Sequence, residues 1–314
     1  MRFKLPALLK IGLSQKHKNT IHVTRFKHNP IITPGMNDTL GGNINGPSLI
    51  RVPDWLPEPL GKYYLYFAHH NGKYIRMAYA DVLEGPWKIH EPGTLKLEET
   101  ACVKHIASPD LHVDDEKHEL RMYFHGPVSD RSNQQASFVA TSKDGINFNA
   151  SPEVLGNSYF RVFWWHNYYY AMARLGTLYR SRNGLTDFEN GPNPFNRFFS
   201  KSRVRHLAVQ VNGGVLYVFY SRIGDKPESI LVSRISLESD WMKWRASRHE
   251  TVMEPTMVYE GGDLPLKKSI TGMAKRPVRQ LRDPAIFSED NKTYLLYSIA
   301  GENGIALAEI DYIN

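Results

Sequence analysis

The sequence predicts an all-β fold, a five-bladed β-propeller with four-stranded antiparallel blades around a central axis. Two observations lead to this prediction. Short alternating or apolar runs take the place of long helical periodicity, and one strand pattern recurs five times. Turn signals such as Asn71-Gly72, Asp144-Gly145 and Gly213-Gly214 separate the runs. Because blades of four strands repeated around an axis define a propeller, the repeat favours that fold over a sandwich or a barrel.

Each predicted blade starts with a run that enters a strand, turns, and continues in a second strand rich in tyrosine. The first strands are predicted at 46–50, 108–113, 160–163, 206–211 and 283–287, and the second at 63–67, 120–124, 168–173, 215–220 and 293–297. Third strands follow, as at 75–80 and 137–142, and then an outer fourth strand. The composition shows no break, so we expect one domain over residues 1–314, with residues 1–27 as an N-terminal extension.

Composition and charge restrict the function classes. A chain of 314 residues buries a full core by itself, and the single cysteine, Cys102, excludes an intramolecular disulfide and any cysteine-rich metal site. Aromatic residues make up 12% of the chain, which suits strands and also sites that stack on sugar rings. The formal net charge of +7 is compatible with an anionic partner and equally with a basic soluble protein.

Targeting signals and nucleotide motifs are weak or missing in the sequence. Lys10 interrupts the apolar stretch near the start, no cleavage signal follows it, and no run of about 18 apolar residues occurs. We therefore expect a cytoplasmic protein with no membrane partner, the alternative being a periplasmic or secreted one. No phosphate-binding loop, dinucleotide fingerprint or nucleophile elbow is present. Nucleotide and α/β-hydrolase chemistry are excluded on that basis, and no nucleic-acid partner is expected.

Three short motifs carry a family resemblance. They are Arg282-Asp283-Pro284 at a strand opening, Gly85-Pro86-Trp87 after a third strand, and His28-Asn29-Pro30 near the start. In these motifs and in its blade pattern the chain resembles the five-bladed propeller glycoside hydrolases, the group that includes families 43, 32, 62, 68 and 117. The resemblance implies a carbohydrate substrate and cleavage of glycosidic bonds.

The chain departs from that group at the openings of its inner strands. Members of the group place acidic residues at two of these openings and a glutamate in a later blade. Here the openings carry Gly46, Ser108, the pair Phe160-Arg161, the pair Arg205-His206, and Asp283. Only one of them is a carboxylate, so the usual set of three is not carried over.

Two aspartates are the predicted catalytic carboxylates. Asp283 opens an inner strand, and Asp110 lies two residues beyond Ser108, on the same predicted strand face. Glycoside hydrolysis uses two carboxyl groups, one of which donates a proton. His125 or His70, each at the end of a second strand, is predicted to assist as an acid or as a hydrogen-bond donor. The resemblance to family 117 implies such a histidine.

Further side chains at strand ends are predicted to bind substrate around the same pocket. They are His69, His105, Arg161, Arg174, His206, Arg282 and Trp165. Arg161 and Arg174 would bind a carboxylate or sulfate through their planar forks, which favours an acidic sugar. A cluster of histidine and aspartate is alternatively typical of a cation site, so a structural divalent cation on the axis is left open and no other cofactor is expected.

Two segments have two interpretations each. Trp164, Trp165 and the tyrosines at 168–170 are suited to stacking on sugars and equally to packing between blades. Glu254 and the run 260–263 lie in the long connection into the last blade. That connection either supplies the missing acid to the pocket or is an ordinary solvated loop.

The sequence therefore predicts a glycoside hydrolase that acts on a poly- or oligosaccharide, most simply from a chain end and on acidic or sulfated sugars. Two alternatives share the fold. One is a carbohydrate-binding propeller without catalysis. The other is a glycoside phosphorylase or transferase, in which the arginines would hold phosphate. The oligomeric state is not predicted.

Overall fold

Five antiparallel sheets surround a central axis in the computed structural model, which describes residues 21–129, 134–196, 204–238 and 240–313. The predicted five-bladed β-propeller is thereby confirmed. The targeting segment and most of the predicted N-terminal extension lie outside the described residues. Within the described ranges no α-helix forms, and no helix is long and apolar enough to span a membrane.

The strands follow the chain around the axis. Blade one contains β2 (Asn45–Arg51), β3 (Tyr63–Ala68), β4 (Arg76–Ala80) and β5 (Lys88–His90). Blade two contains β6 (Ala107–Asp114), β7 (Glu119–Pro127) and β8 (Gln135–Ser142), with the short strands β9 (Asn149–Ala150) and β10 (Gly156–Asn157) both on β8. Blade three contains β11 (Arg161–Trp165), β12 (Tyr168–Met172), β13 (Leu178–Ser181) and β14 (Glu189–Asn190). Blade four contains β15 (Val204–Asn212), β16 (Val215–Arg222), β17 (Ile230–Ser236) and β18 (Glu250–Met253).

Blade five contains β19 (Arg282–Glu289), β20 (Lys292–Ser298) and β21 (Ile305–Tyr312), and its outer strand is β1 (Ile21–Arg25) from the other end of the chain. β1 pairs with β21, so that Ile21 lies opposite Tyr312. Residues 21–25 of the predicted extension thus belong to the propeller and cover the edge of its last sheet. Short 3-10 helices occupy Pro34–Met36, Leu97–Glu99, Arg174–Gly176, Trp241–Lys243 and Val258–Glu260.

The apolar core lies between neighbouring blades rather than at the axis. Each of five buried clusters joins two adjacent sheets, as where Tyr64 of blade one meets Phe124 of blade two, or where Tyr123 of blade two meets Phe160 of blade three. The aromatic second strands fill these interfaces, and every residue of β3 is buried. This packing accounts for much of the 12% aromatic content.

The inner strands share an unusual backbone feature where they begin. Gly46, Ser108, Tyr159, His206 and Asp283 occupy equivalent positions, and all five have φ between 44° and 72°. Only glycine adopts this left-handed region without strain, so four of the five blades hold a side chain there at an energetic cost. The strand register shifts around these residues in blades one, two, four and five. The shift interrupts the two-residue alternation of the strand and turns five residues toward one end of the axis.

Candidate active site

The five left-handed openings border a cavity of about 210 Å³ at one end of the axis. Asn45 beside Gly46 contributes from blade one, and Ser108, Tyr159, His206 and Asp283 contribute from the other four. Side chains near the ends of other strands complete the wall; they include His70, His105, His125, Arg174, Arg205 and Glu302. Of the predicted site residues, six therefore share one cavity: Asp283, His125, His70, His105, Arg174 and His206.

Asp283 is a buried carboxyl group of the cavity whose pKa is raised. It is 3% exposed, its Oδ1 accepts a hydrogen bond of 3.0 Å from the Tyr159 hydroxyl, and His206 Nδ1 lies 3.6 Å from the same oxygen. Its Oδ2 has no hydrogen-bond partner in the described part of the chain. Burial, together with the nearby negative charge of Glu302, raises the pKa of Asp283 from 3.8 to about 6. About half of this group is a neutral acid at pH 6, and about a tenth is at pH 7.

Glu302 is the second carboxylate of the cavity, and it is not among the site residues predicted from the sequence. Its Oε1 accepts a hydrogen bond of 2.7 Å from Arg282, and its Oε2 accepts one of 2.7 Å from the Asn43 amide. His70 Nδ1 lies 3.5 Å from that Oε2. Burial alone would raise the pKa of Glu302, but the contact with His70 and the charge of Arg282 lower it to about 2. This group is a permanent anion at neutral pH.

A sequence signal for Glu302 was available. It follows the second strand of blade five, as His70 follows the second strand of blade one, and the ends of equivalent strands face the same end of a propeller. Applying that rule to every blade selects Glu302.

Two histidines of the cavity, His125 and His206, are held neutral. Burial, reinforced by His105 and by nearby arginines, lowers the pKa of His125 to about 3, and burial lowers the pKa of His206 well below its usual value. Nδ1 of each of these two rings lacks a hydrogen-bond partner among the described residues. The prediction that His125 assists as an acid is not supported, because at neutral pH its ring carries one proton and no charge. Its predicted use as a hydrogen-bond donor stays open.

Tyr159 forms the floor of the cavity. Its ring centroid lies 5.6 Å from that of His125 and 5.7 Å from that of His206. The Arg161 guanidinium packs 4.4 Å from the ring centroid, outside the cavity lining. The predicted opening of blade three lies one residue later, at Phe160-Arg161, and the prediction therefore misses the hydroxyl group that binds Asp283.

Asp110 does not share the cavity with Asp283, so the predicted pairing is wrong. It lines a separate cavity of about 340 Å³ formed by the inner strands farther along the axis. There its Oδ2 accepts hydrogen bonds from the Val162 amide at 2.8 Å and from His112 Nε2 at 2.9 Å. The left-handed bulge at Ser108 causes the error, because residues two apart no longer lie on one face of the strand.

Four predicted substrate-binding residues also lie outside the axial cavity. Arg161 is buried against the Tyr159 ring and donates to the carbonyl oxygens of Ser108 and Phe160. Arg282 is buried and binds Glu302, so it can act on a ligand only through that carboxylate. The other two are not among the lining residues: the indole N–H of Trp165 donates to the Leu237 carbonyl beside blade four, and His69 Nδ1 accepts from the Asn71 amide.

The long connection into blade five was predicted either to supply an acid to the pocket or to be a solvated loop, and Glu260 fits neither prediction. This carboxylate is fully buried, does not line the axial cavity, and accepts hydrogen bonds from Arg25 and from the Tyr297 hydroxyl. A structural divalent cation on the axis is the other possibility that the sequence leaves open. Within the described ranges no three His, Cys, Asp or Glu side chains are grouped to hold a metal.

Several solved structures share this fold. A family 43 enzyme from Xanthomonas citri in complex with xylose matches with a TM-score of 0.60 at 12% identity, over 86% of this chain and 88% of that one. A thermostable family 43 glycoside hydrolase matches with 0.57 at 13% identity, over 86% and 89%. A Cellvibrio cellulosa α-L-arabinanase in complex with arabinohexaose matches with 0.54 at 13% identity, over 84% and 90%. At these identities the similarity establishes the fold.

A comparison with protein-family profiles finds no match. One curated relative, the uncharacterized protein R118 of Acanthamoeba polyphaga mimivirus, is 37% identical over 326 residues, which cover 92% of this chain and 90% of that protein. The chain therefore belongs to the same protein family as the mimivirus protein R118.

Proposed function

We propose that this protein is a glycoside hydrolase that admits the end of a sugar chain into the axial cavity. One observation carries the proposal: Asp283 and Glu302 line the same cavity, and their pKa values are driven apart, to about 6 and about 2. In glycosidases the environments of two carboxyl groups separate their pKa values, so that one group is a neutral acid while the other is an anion.

In the proposed reaction Asp283 is the proton donor. Its neutral carboxyl group protonates the glycosidic oxygen while the bond from that oxygen to the anomeric carbon breaks. Positive charge then develops on the sugar ring, and the permanent negative charge of Glu302 stabilises it. A water molecule then adds its oxygen to the anomeric carbon and transfers a proton to the ionised Asp283 carboxylate, which restores the acid. Tyr159 positions the acid through its hydrogen bond to Asp283 Oδ1.

Unpaired polar atoms in the cavity support a ligand rich in hydroxyl groups. Asp283 Oδ2, His125 Nδ1 and His206 Nδ1 are all buried without a hydrogen-bond partner in the described residues, and all three side chains line one cavity. Leaving such atoms unpaired is costly, and sugar hydroxyls both donate and accept. The volume of about 210 Å³ is small beside the roughly 300–1,000 Å³ of pockets for larger ligands, which favours a single sugar unit and action at a chain end.

The test is a panel of aryl glycosides and oligosaccharides, begun with xylosides and arabinosides because the structural neighbours are a xylose complex and an arabinanase. We expect release of a single sugar unit by the parent protein and release slower by roughly 10²- to 10⁴-fold in the Asp283→Asn variant. Asp110→Asn is the matched control, since it makes the same change in the other axial cavity. Turnover by Asp283→Asn near the rate of the parent, or loss of turnover in Asp110→Asn alone, would contradict the assignment.

A carbohydrate-binding propeller without catalysis is the second candidate. The observation that favours it is Gly46, which puts no carboxylate at the opening of blade one. Binding of a sugar with no product under any condition tested would establish it. Turnover that requires added inorganic phosphate would instead indicate a phosphorylase on the same fold.

Glu302→Gln provides a test of how the two carboxyl groups interact. Removing the negative charge of Glu302 lowers the pKa of Asp283, because the two groups repel each other's ionised forms. The acid is then lost at lower pH, so the alkaline limb of the kcat/KM profile should move to lower pH in this variant. Asp110→Asn should leave the limb in place. An unchanged limb in Glu302→Gln would show that Asp283 is not the titrating acid.

The proposed substrate carries an acidic group, and Arg174 is the residue that supports this. It lines the axial cavity, is exposed, and makes no ion pair within the described part of the chain. Thr271 and Gly272 also line the cavity, and the segment around them carries exposed basic side chains at Lys267 and Lys268. A carboxylate or sulfate on the sugar would pair with the Arg174 fork.

Arg174→Ala should weaken binding of an acidic oligosaccharide by roughly ten- to a hundredfold, as expected for a lost hydrogen bond to a charged group. Arg174→Lys should recover part of the loss because an ammonium group cannot reproduce the planar fork. Calorimetry with acidic and neutral versions of one sugar measures the effect, and Arg248→Ala, an exposed arginine outside the cavity lining, is the control. Equal affinity of the parent protein for both sugars would remove the basis for an acidic substrate.

A further inference from the structure

Trp164 is a large aromatic residue that the axial site does not use. It lies near the end of β11 and is 52% exposed, whereas its neighbour Trp165 packs toward blade four. Its indole makes an edge contact with the Tyr169 ring at a centroid distance of 4.8 Å. Its exposed indole has an apolar face and a polar N–H, which suit it to stacking on a ligand ring.

The indole borders a groove of about 640 Å³ between blades two and three. The groove lies on the face opposite the axial cavity, since β6 and β11 run from that cavity toward it. Its wall contains His112, Val113, Asp114, Asp115, Glu116, Lys117, Arg121, Tyr123, Val162, Phe163, Trp164, Tyr169, Arg182 and Asn183. His112, Val113 and Val162 also line the second axial cavity, so the groove adjoins that cavity.

The aromatic platform is braced from within the protein. The Arg121 guanidinium packs 5.2 Å from the centroid of Tyr169, and it donates hydrogen bonds to Asp114 at 2.7 Å and to the Asn183 carbonyl at 3.0 Å. Arg121 is itself almost fully buried. Tyr169 and Trp164 are therefore held in place before any ligand arrives, which reduces the entropy lost on binding.

We infer that this groove is a second sugar-binding site, in which the Trp164 indole stacks on the C–H face of a ring in a neutral sugar chain. The groove is lined by the acidic side chains of Asp114, Asp115 and Glu116 and by the basic side chains of Lys117, Arg121 and Arg182, so its wall is strongly polar and these charges cancel. Hydroxyl groups suit such a wall, because they both donate and accept. The core of a protein interface is instead depleted of charged residues.

The choice of a sugar as the ligand rests on the proposed glycoside hydrolase function. The groove itself does not depend on it, because none of the groups proposed for bond cleavage lines its wall. The two sites face opposite ends of the axis, so a sugar chain in the groove leaves the axial cavity open.

The test measures binding of soluble β-1,4-xylan and of arabinan by affinity electrophoresis, in the Asp283→Asn protein so that the chains are not degraded. Trp164→Ala should weaken retardation by at least one of these chains roughly tenfold. Trp164→Phe should keep most of it, because a smaller aromatic face remains. Met242→Ala is the control, since it removes another exposed apolar side chain, 48% exposed, outside the groove. Thermal unfolding verifies that each variant is folded.

The outcomes separate this inference from the proposed function. If retardation depends on Trp164 but the parent protein cleaves no glycoside, the second site is supported and the hydrolase function is rejected. If the parent cleaves aryl glycosides but Trp164→Ala does not change the retardation, the second site is rejected and the hydrolase function is kept. Absence of retardation in the parent with both polysaccharides also overturns the inference, and the groove would then be a candidate surface for another partner.

Discussion

Asp283→Asn is expected to lower kcat by roughly 10²- to 10⁴-fold, the usual contribution of a positioned proton donor. The amide has nearly the shape of the carboxyl group, and its oxygen still accepts the hydrogen bond from the Tyr159 hydroxyl. What the variant lacks is a proton that can be transferred to the leaving oxygen. Turnover of the best aryl glycoside, measured from pH 4 to pH 8, checks this. Activity within a factor of a few of the parent at every pH would reject Asp283 as the acid.

The same variant should be more stable than the parent at neutral pH. The pKa of Asp283 is raised from 3.8 to about 6 in the folded protein, so the folded state holds this proton more tightly than the unfolded state does. The resulting stability is fully present below about pH 4 and is lost as the pH rises through about 6. At roughly 1.4 kcal/mol per pKa unit, the ionised Asp283 costs the parent about 3 kcal/mol at pH 7.5.

Asparagine removes that cost because it never ionises. Urea unfolding at several pH values should give Asp283→Asn an advantage of up to about 3 kcal/mol at pH 7.5, and the advantage should disappear near pH 4. Asp110→Asn should show no such gain, since hydrogen bonds and the charges of His112 and Arg161 stabilise the ionised form of that group and lower its pKa. A pH-independent difference between parent and Asp283→Asn would contradict the raised pKa.

Glu260→Gln should produce the largest loss of stability. The carboxylate is fully buried, and it accepts hydrogen bonds from Arg25 Nε at 2.6 Å, the Tyr297 hydroxyl at 2.9 Å and the amides of Thr256 and Met257. These contacts tie the outer strand β1 and the inner part of blade five to the long connection. Removing one partner of a buried ion pair costs roughly 3–5 kcal/mol, and partial exposure of Arg25 places this variant near the lower value.

A surface ion pair provides the matched control for that measurement. Glu189 binds Arg180 at 2.8 Å, but its side chain is 58% exposed, so Glu189→Gln should cost less than about 1 kcal/mol. The two variants remove the same charge and differ in burial, and urea unfolding compares them. Equal and small losses of unfolding free energy in both variants would show that Glu260 is not needed to hold β1 and β20 to the long connection.

Local signals in the sequence were enough to predict the blades. Tyrosine-rich runs such as Tyr63–Ala68 recur between turn residues, and a side chain that is aromatic and half-polar suits the interface between two packed sheets. The positions of Asp283, His125 and His206 at strand ends followed from the same repeat, because a propeller brings equivalent ends to one point on its axis. The repeat thus predicts the fold and six of the seventeen residues that line the cavity.

Contacts between residues far apart in the chain decided the rest. A left-handed residue at each inner opening breaks the two-residue alternation, so Asp110 turned out to face another cavity and Tyr159 to face this one. The pairing of Glu302 with Asp283 depends on the closure of blade five around Arg282 and His70. A pKa of about 6 or about 2 depends on burial and on charges brought in by other strands, and these exist only in the folded chain.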